Sequence, residues 1–224
     1  ELGVDLSHSP LQGGLATERC DVVLEDGDRV FVGCSYGEGK AETLKLTEEH
    51  IEHLKTFDII HSSCYSYLEE EIGKQDEVKG FKTFDFSSDE EFRETSYLEK
   101  ICPHIDMALF SADAMPDEAM QALREKVVSL GTSYVLITKG TEGQTLWDGA
   151  RMHKGIVKRI TPIDTMGAGE SFFTSFVISL FEKGYHKGER LTEEIVQGAF
   201  EFAAVFAAEN CLVEGAFGFA AEYE

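Results

Sequence analysis

Positive charge is what this sequence has least of. Its 224 residues carry 20 Lys and Arg against 42 Asp and Glu, a formal net charge of −22. Such a field repels phosphate backbones and anionic lipid, which excludes nucleic acid and membrane surfaces as natural partners. It also means that any anionic ligand must be held by local dipoles. No apolar run is long enough to span a bilayer, and the opening residues do not read as a signal peptide. The five cysteines, Cys20, Cys34, Cys64, Cys102 and Cys211, form no CxxC pair and are odd in number. They read as scattered thiols of a reduced, cytoplasmic protein. The seven histidines show no HExxH or other tight metal spacing. His50 and His53 share a helix face beside acidic residues and read as solvated.

What is present suits one soluble α/β domain with a small appendage: 42% hydrophobic and 28% charged residues leave material for a core. Early in the chain, ERCDVVLEDGDRVFVG alternates apolar residues around an EDGD turn, a β-hairpin pattern. Residues 33–43 are Gly-rich and polar, a loop. From Thr47, which suits a helix cap before TEEH, helices and strands alternate. Helices are expected at 47–55, 66–79, 90–100 and 116–130, the last with Pro116 in its first turn. Strands are expected at 57–63, 81–87, 105–111 and 133–140. A hairpin follows at about 143–160, and apolar helices at 168–183 and 192–209. The acidic clusters at 69–71 and 89–91 read as solvated faces, and Trp147 as a hairpin packing residue.

Alternation of this kind predicts a mostly parallel sheet flanked by helices, with a small β-hairpin outside it. The hairpin and its connection occupy residues 1–40 and the α/β core 41–224. Ligands of such folds bind beyond the carboxyl ends of the strands. The candidates are therefore His61 to Cys64, Asp85 to Ser87, Ser111 to Asp113, Thr138 to Gly143, and Asp164 to Glu170. His61 and Asp85 are the two that suit contact with a substrate, although ordinary loop packing accounts for them equally well.

The stretch IDTMGAGESFF at 163–173 is the most informative. Gly167, Ala168 and Gly169 stand at a helix start, where backbone N–H groups lack intrahelical partners and small side chains let an anion approach. Glu170 beside them could take a proton from a hydroxyl while the amides hold a phosphoryl group. A tight packing turn with a dipole-favouring acid explains the same residues. A second stretch, TKGTEG at 138–143, follows a strongly apolar strand. Its Thr138, Gly140 and Gly143 could hold nucleotide phosphates by hydroxyl and backbone donors.

Together, DTMGAGESF and TKGTEG resemble the DTxGAGDSF and TxGxxG signatures of the ribokinase-like (phosphofructokinase B-type) carbohydrate kinases, and EGAFGFA resembles that family's GA turn. ERCDVVLEDGDRVF, DIIHSS, FDFS, WDGA and IDTMGAG look most like the fructoselysine 6-kinases of that family. The resemblance implies a ribokinase-like sheet with a β lid hairpin. It also implies ATP-dependent phosphorylation of a sugar hydroxyl, with an amine-linked sugar such as fructoselysine as substrate. By the same resemblance Glu170 is the base and Gly167, Ala168 and Gly169 form the anion hole. Thr138, Gly140 and Gly143 lie on the phosphate side, Gly215 and Ala216 by the adenine, and Asp164 and Thr165 near a monovalent cation or Mg²⁺–ATP. ATP, Mg²⁺, a sugar and a homodimer through the lid hairpin are the implied partners.

Three departures accompany the resemblance. Glu170 stands where the family has Asp. Residues 111–114, Ser-Ala-Asp-Ala, lack the family's NxxE, with Asp113 and Asp117 as the nearby acids. The family's sugar-gripping segment ahead of the lid has no counterpart, and Gly13-Gly14 cannot replace it. These departures keep a second expectation open: a truncated, catalytically weak or silent nucleotide- or sugar-binding relic.

Overall fold

The computed structural model describes residues 3–10, 19–25, 28–35, 43–113 and 115–219. Most of the expected loop at 33–43, the Gly13-Gly14 pair and Ala114 lie outside the described residues.

The first hairpin pairs β1 (Arg19–Glu25) antiparallel with β2 (Asp28–Ser35). It forms a two-stranded sheet of its own, apart from the main one. Val22, Leu24, Val30 and Val32 are exposed on it. Cys20 is disulfide-bonded, and Cys34 is the residue opposite it in the strand register. The expectation of five free thiols is thus wrong for Cys20, while Cys64 and Cys102 are free and buried and Cys211 is buried.

The main sheet has six strands in sequence order. β3 (Ile59–Ser63), β4 (Phe81–Asp85), β5 (Met107–Ser111) and β6 (Tyr134–Thr138) run parallel. β7 (Gln144–Trp147) and β8 (Met152–Gly155) add an antiparallel hairpin at one edge. The inner strands are apolar on both faces because both are covered, as parallel sheets require. On one face lie α4 (Ala168–Glu182) and α5 (Glu193–Asn210), whose Phe172, Phe176, Phe200 and Val196 pack on Phe81, Met107, Leu136 and Leu146. On the other lie α2 (Thr95–Ile101) and α3 (Asp117–Ser129), with Leu98, Ile101, Leu123 and Val127 packed on Phe84, Ala108, Phe110 and Ile137. α1 (Glu48–Leu54) closes a smaller cluster through Ile51, Leu46, Ile60 and Val78. Among the described residues no helix is long and apolar enough to cross a membrane.

Local chemistry sets the helix starts. Thr47 accepts the His50 amide and donates its own amide to His50 Nδ1, a capping box with histidine in the third position. Thr192 caps α5 through the Ile195 amide. The start of α5 is fastened to the β7–β8 hairpin by His153, buried with Nε2 2.8 Å from Asp148 and Nδ1 2.8 Å from Glu193. Trp147 packs in that hairpin with Arg124 5.3 Å above its ring, as expected of a packing residue.

The expected helix over 66–79 does not form. Short 3₁₀ turns at Cys64–Ser66 and Ile72–Gln75 replace it, with Tyr67 left-handed between them at φ 52°. Glu71 stands at the start of the second of these turns. It is 4% exposed, and its carboxylate accepts the Leu46 amide at 2.8 Å and Lys74 Nζ at 2.6 Å. Those bonds, Lys74's first and Leu46's next, hold its pKa down to about 2. The cluster 69–71 is therefore no plain solvated face: Glu69 accepts Tyr97 OH and Glu70 pairs with Lys100.

Candidate active site

The carboxyl ends of β3 to β6 and the start of α4 face the same edge of the molecule. α4 begins with Gly167 in the left-handed region at φ 75° and has no side-chain cap. A side chain added there would be strained. A Cβ on Gly167 would lie 3.0 Å from Ala216 Cβ and 3.4 Å from Asn210 Nδ2. Of the four amides from Gly167 to Glu170, only that of Ala168 has an acceptor among the described residues, the Thr165 carbonyl at 3.1 Å. The amides of Gly169 and Glu170 remain open at the positive end of the helix dipole. A Cβ on Gly169 would meet nothing within 4 Å, so the approach to these amides is clear.

Glu170 is exposed in the first turn of α4. Two other expected site residues feel its charge. Burial pushes Asp85 up to about 6; the Ser87 amide, bonded to Asp85 Oδ1 at 2.7 Å, opposes this and the Glu170 carboxylate adds to it. Loss of hydration lowers the pKa of His61, and Glu170 pulls it back up. The His61 ring lies 5.4 Å from that of Phe173 on α4, and its Nδ1 is 3.0 Å from Thr83 Oγ1. Thus residues from β3, β4 and α4 form one electrostatic group. Cys64 is apart from it: fully buried, with its thiol pushed up to about 12, chiefly by burial, it is no nucleophile.

The TKGTEG turn joins β6 to β7 at the same end. The Lys139 amide bonds the Gly143 carbonyl at 2.8 Å, and Thr138 Oγ1 is 3.4 Å from Ser111 Oγ. Gly140 has φ 45°, and a Cβ there would lie 3.1 Å from Asp113 Oδ1, so Asp113 leans directly on this turn. Asp117 instead sits by Lys139 at 3.6 Å. A groove of about 380 Å³ runs beside the turn, lined by Met120, Arg124, Lys139, Gly143, Thr145 and Lys154. It lies between α3 and the β7–β8 hairpin and does not include the start of α4.

Asp164 and Gly215 meet at the back of this cradle. Asp164 is 7% exposed. Its Oδ1 accepts the Met166 amide and its Oδ2 the Gly215 amide, both at 2.8 Å. Gly215 and Ala216 form a turn closed by an Ala216–Phe219 bridge. Asn210, at the end of α5, adds two bonds: Nδ2 to the Met166 carbonyl at 2.7 Å and Oδ1 from the Phe217 amide at 2.8 Å.

Asn210 was not a candidate from sequence. A polar pair, Glu209 and Asn210, ending an apolar helix five residues before the GA turn was the available signal. Arg93 was missed as well. It donates to the Ser111 carbonyl at the end of β5, and its Nε is buried with no acceptor. Tyr65 reaches from the β3 side to Ser87 Oγ at 3.2 Å and Asp89 at 2.9 Å. Nothing in the spacing of either residue distinguishes it.

A helix start opened by glycines, an acid in its first turn and a glycine-rich strand end at the same edge are groups with which an α/β sheet can hold a phosphoryl group. Comparison with known proteins agrees. The chain is 32% identical over 197 residues to the fructoselysine 6-kinase of Shigella flexneri, covering 88% of this chain and 71% of that protein. It is 30% identical over 214 residues to a fructosamine kinase of Bacillus subtilis, covering 95% and 69%. The chain belongs to the ribokinase-like carbohydrate kinases, phosphotransferases that act on an alcohol group. Among solved structures, Arabidopsis thaliana ribokinase complexed with ribose and ATP superposes with a TM-score of 0.68 at 19% identity. The microbiome-derived acarbose kinase Mak1 superposes at 0.67 and 19%. The chain covers 91% and 87% of its own length in these matches but spans only 65% and 62% of those structures. No family model matches the chain.

Proposed function

We propose that this chain transfers the γ-phosphoryl group of ATP to a hydroxyl of an amine-linked sugar of the fructoselysine type. The observation that carries the reading is the start of α4. There two open amides and an unobstructed Gly169 lie beside an exposed Glu170 whose charge reaches Asp85 and His61. The curated relatives that resemble it are named for fructoselysine and fructosamine, which supports the substrate class.

Glu170 accepts the proton of the sugar hydroxyl as the oxygen attacks phosphorus. The new P–O bond forms while the bond to ADP breaks. The amides of Gly169 and Glu170 hold the phosphoryl oxygens. Thr138 and the Gly140–Gly143 turn bind the phosphate side, and the Gly215–Ala216 turn lies against the base. His61 and Asp85 line the sugar side, where a partly protonated Asp85 can donate to a hydroxyl. Mg²⁺ bound with the nucleotide would supply positive charge at the phosphates. It takes one or two carboxylates, water and phosphate oxygens as ligands and needs no all-protein cage. Asp113, beside Gly140, fits that part. The exposed valines and Leu24 of β1 and β2 suit pairing with a second copy of the hairpin.

Calorimetric titration with Mg²⁺–ADP, followed by sugar-dependent ATP turnover, tests the reading. Micromolar ADP binding and turnover with fructoselysine are expected. A folded chain that takes up no ADP heat would sink it and leave a silent relic of a sugar kinase.

A further inference from the structure

Tyr65 stands at the carboxyl edge with a role that the proposed phosphoryl transfer does not use. It follows β3 in the first 3₁₀ turn, its ring is 54% exposed, and it meets Phe92 edge-on with centroids 5.5 Å apart. Its hydroxyl is nonetheless fixed. It donates to Asp89 Oδ2 at 2.9 Å and lies 3.2 Å from Ser87 Oγ. A phenol has one proton, so with that proton on Asp89 the Ser87 hydroxyl is the donor of the second bond. Burial pushes Tyr65 up to about 12, with Ser87 opposing and Asp89 adding, so the phenol keeps its proton at neutral pH.

Ser87 holds the arrangement together. It sits in the left-handed region at φ 58°. Its amide bonds Asp85 Oδ1 at 2.7 Å and its carbonyl accepts the Ser111 amide at 3.0 Å. One residue thus faces Asp85 with its backbone and Tyr65 with its side chain. The other non-glycine residues of positive φ among those described are Tyr67, after β3, and Phe217, in the Gly215 turn. All three lie in the loops that line the candidate site, where backbone strain commonly gathers.

Asp89 is exposed and accepts through Oδ2, leaving Oδ1 open among the described residues. Arg93 senses its charge but donates to the Ser111 carbonyl instead. The acids of this edge are also ordered. The charge of Glu170 is felt at Asp85 and His61, that of Asp89 at Cys64 and Tyr65, and Asp85 acts on Cys64 as well. Asp85 therefore stands between Glu170 and Asp89.

We propose that Tyr65 and Asp89 determine specificity for the amine of an amine-linked sugar: the protonated secondary nitrogen lies against the exposed Tyr65 ring and donates to Asp89, at the end of the site away from Glu170. An alkylammonium suits both groups, a carboxylate with an open oxygen and the face of an aromatic ring. A neutral sugar offers nothing to either charge contact. Ser87 is a positioning residue, because it fixes the Tyr65 hydroxyl and Asp85 together. The inference rests on the proposed sugar-kinase function and adds to it the groups that tell a charged acceptor from a neutral one.

The test uses a matched pair of acceptors, fructose joined through C1 to butylamine and the corresponding butyl ether. They differ in the charge at one atom. Turnover of both is measured at pH 7 for the wild-type chain, Asp89→Asn and Tyr65→Phe. The wild type is expected to favour the amine by at least about fivefold in kcat/KM. Asp89→Asn should erase most of that preference by raising KM for the amine, with kcat, and both constants for the ether, within about twofold. Tyr65→Phe keeps the ring and loses the tether, so the amine alone should lose about two- to threefold. A merely structural role would move both acceptors together. Equal use of the two acceptors by the wild type would overturn the inference, as would an Asp89→Asn chain that slows both alike or keeps the preference. Where turnover is absent, calorimetry of the two acceptors in the presence of Mg²⁺–ADP reads the same preference as a ratio of Kd. A chain that binds ADP but shows no preference, or takes up neither acceptor, overturns the inference and leaves the nucleotide site standing. A chain that binds neither ADP nor acceptor overturns both readings.

Discussion

Asp164 Oδ2 accepts the backbone amide of Gly215 at 2.8 Å, joining two segments 51 residues apart. The other oxygen of the same carboxylate holds the Met166 amide. One buried side chain therefore ties the turn proposed to bind the anion to the turn proposed to lie beside the base. Asp164→Ala leaves two buried N–H groups without acceptors, at a cost of roughly 2–4 kcal/mol. It should also weaken ADP binding by about tenfold or more, because both halves of the cradle lose their common anchor. Asp164→Asn keeps one acceptor and is milder. Urea melts and ADP calorimetry on both variants check this. Unchanged ADP affinity in a folded Ala variant would show that the two turns are set independently.

Glu170 is the only carboxylate in the first turn of α4. Glu170→Gln keeps its volume and removes the proposed base, so sugar-dependent turnover should drop by about 10²–10⁴ while ADP affinity changes little. Glu170→Asp draws the carboxylate back by one bond, ~1.5 Å. Displacements of that size cost on the order of a hundredfold when the base is well placed. We expect such a loss, measured as kcat at saturating ATP. A gain in kcat would mean that glutamate detunes a site better served by aspartate.

Gly167 is held at φ 75° with Ala216 against it. Gly167→Ala meets two penalties together, a left-handed backbone and a Cβ at 3.0 Å from another Cβ. A loss of about 1–3 kcal/mol in a denaturant melt is expected, with reduced ADP binding as the cradle shifts. Gly169→Ala is the internal control. A Cβ there meets nothing in the free chain, so stability should hold, or rise slightly with helix propensity, while the nucleotide is hindered. Equal destabilisation by the two changes would contradict this picture.

The strands were legible because both of their faces are buried. Runs such as Tyr134–Thr138 have no polar face to confuse with a helix, the TxGxxG stretch places itself at a strand end, and GAG places itself at a helix start. The site residues that sequence spacing pointed to, Glu170, Asp85 and His61, share one electrostatic environment. What could not be read was anything set by a single long-range polar contact. Glu71 lay in an apparently solvated acidic run, yet its partner Leu46 lies 25 residues away. The amphipathic pattern around it folds as two short 3₁₀ turns. Asn210 and Arg93 are the same case. Each is one polar residue whose role depends on a backbone group far off in the chain, and local periodicity carries no trace of it.

The raised pKa of Asp85 makes a prediction about pH. Burial is the main cause, with Glu170 adding to it, and the folded value of about 6 stands above the ordinary unfolded one of about 3.9. A raised carboxylate favours its protonated form in the folded state. The stabilisation this brings is fully present below the unfolded pKa and is lost as pH rises through the folded one. Asp85 should therefore contribute less at pH 7 than at pH 4, by on the order of 1–2 kcal/mol after allowance for screening. Glu71 acts in the opposite direction: its depressed pKa gives stability that is lost as pH falls from about 4.5 toward 2. The two effects separate by variant. Asp85→Asn should flatten the stability profile between about pH 4 and 6 and leave the acid limb untouched. Glu71→Gln should remove part of the acid limb and leave the Asp85 window as it was. Thermal melts of the three chains from pH 3 to 8 distinguish them. A wild-type profile unaltered by Asp85→Asn between pH 4 and 6 would mean that Asp85 is hydrated and charged throughout, and it would lose its place as a donor to the sugar.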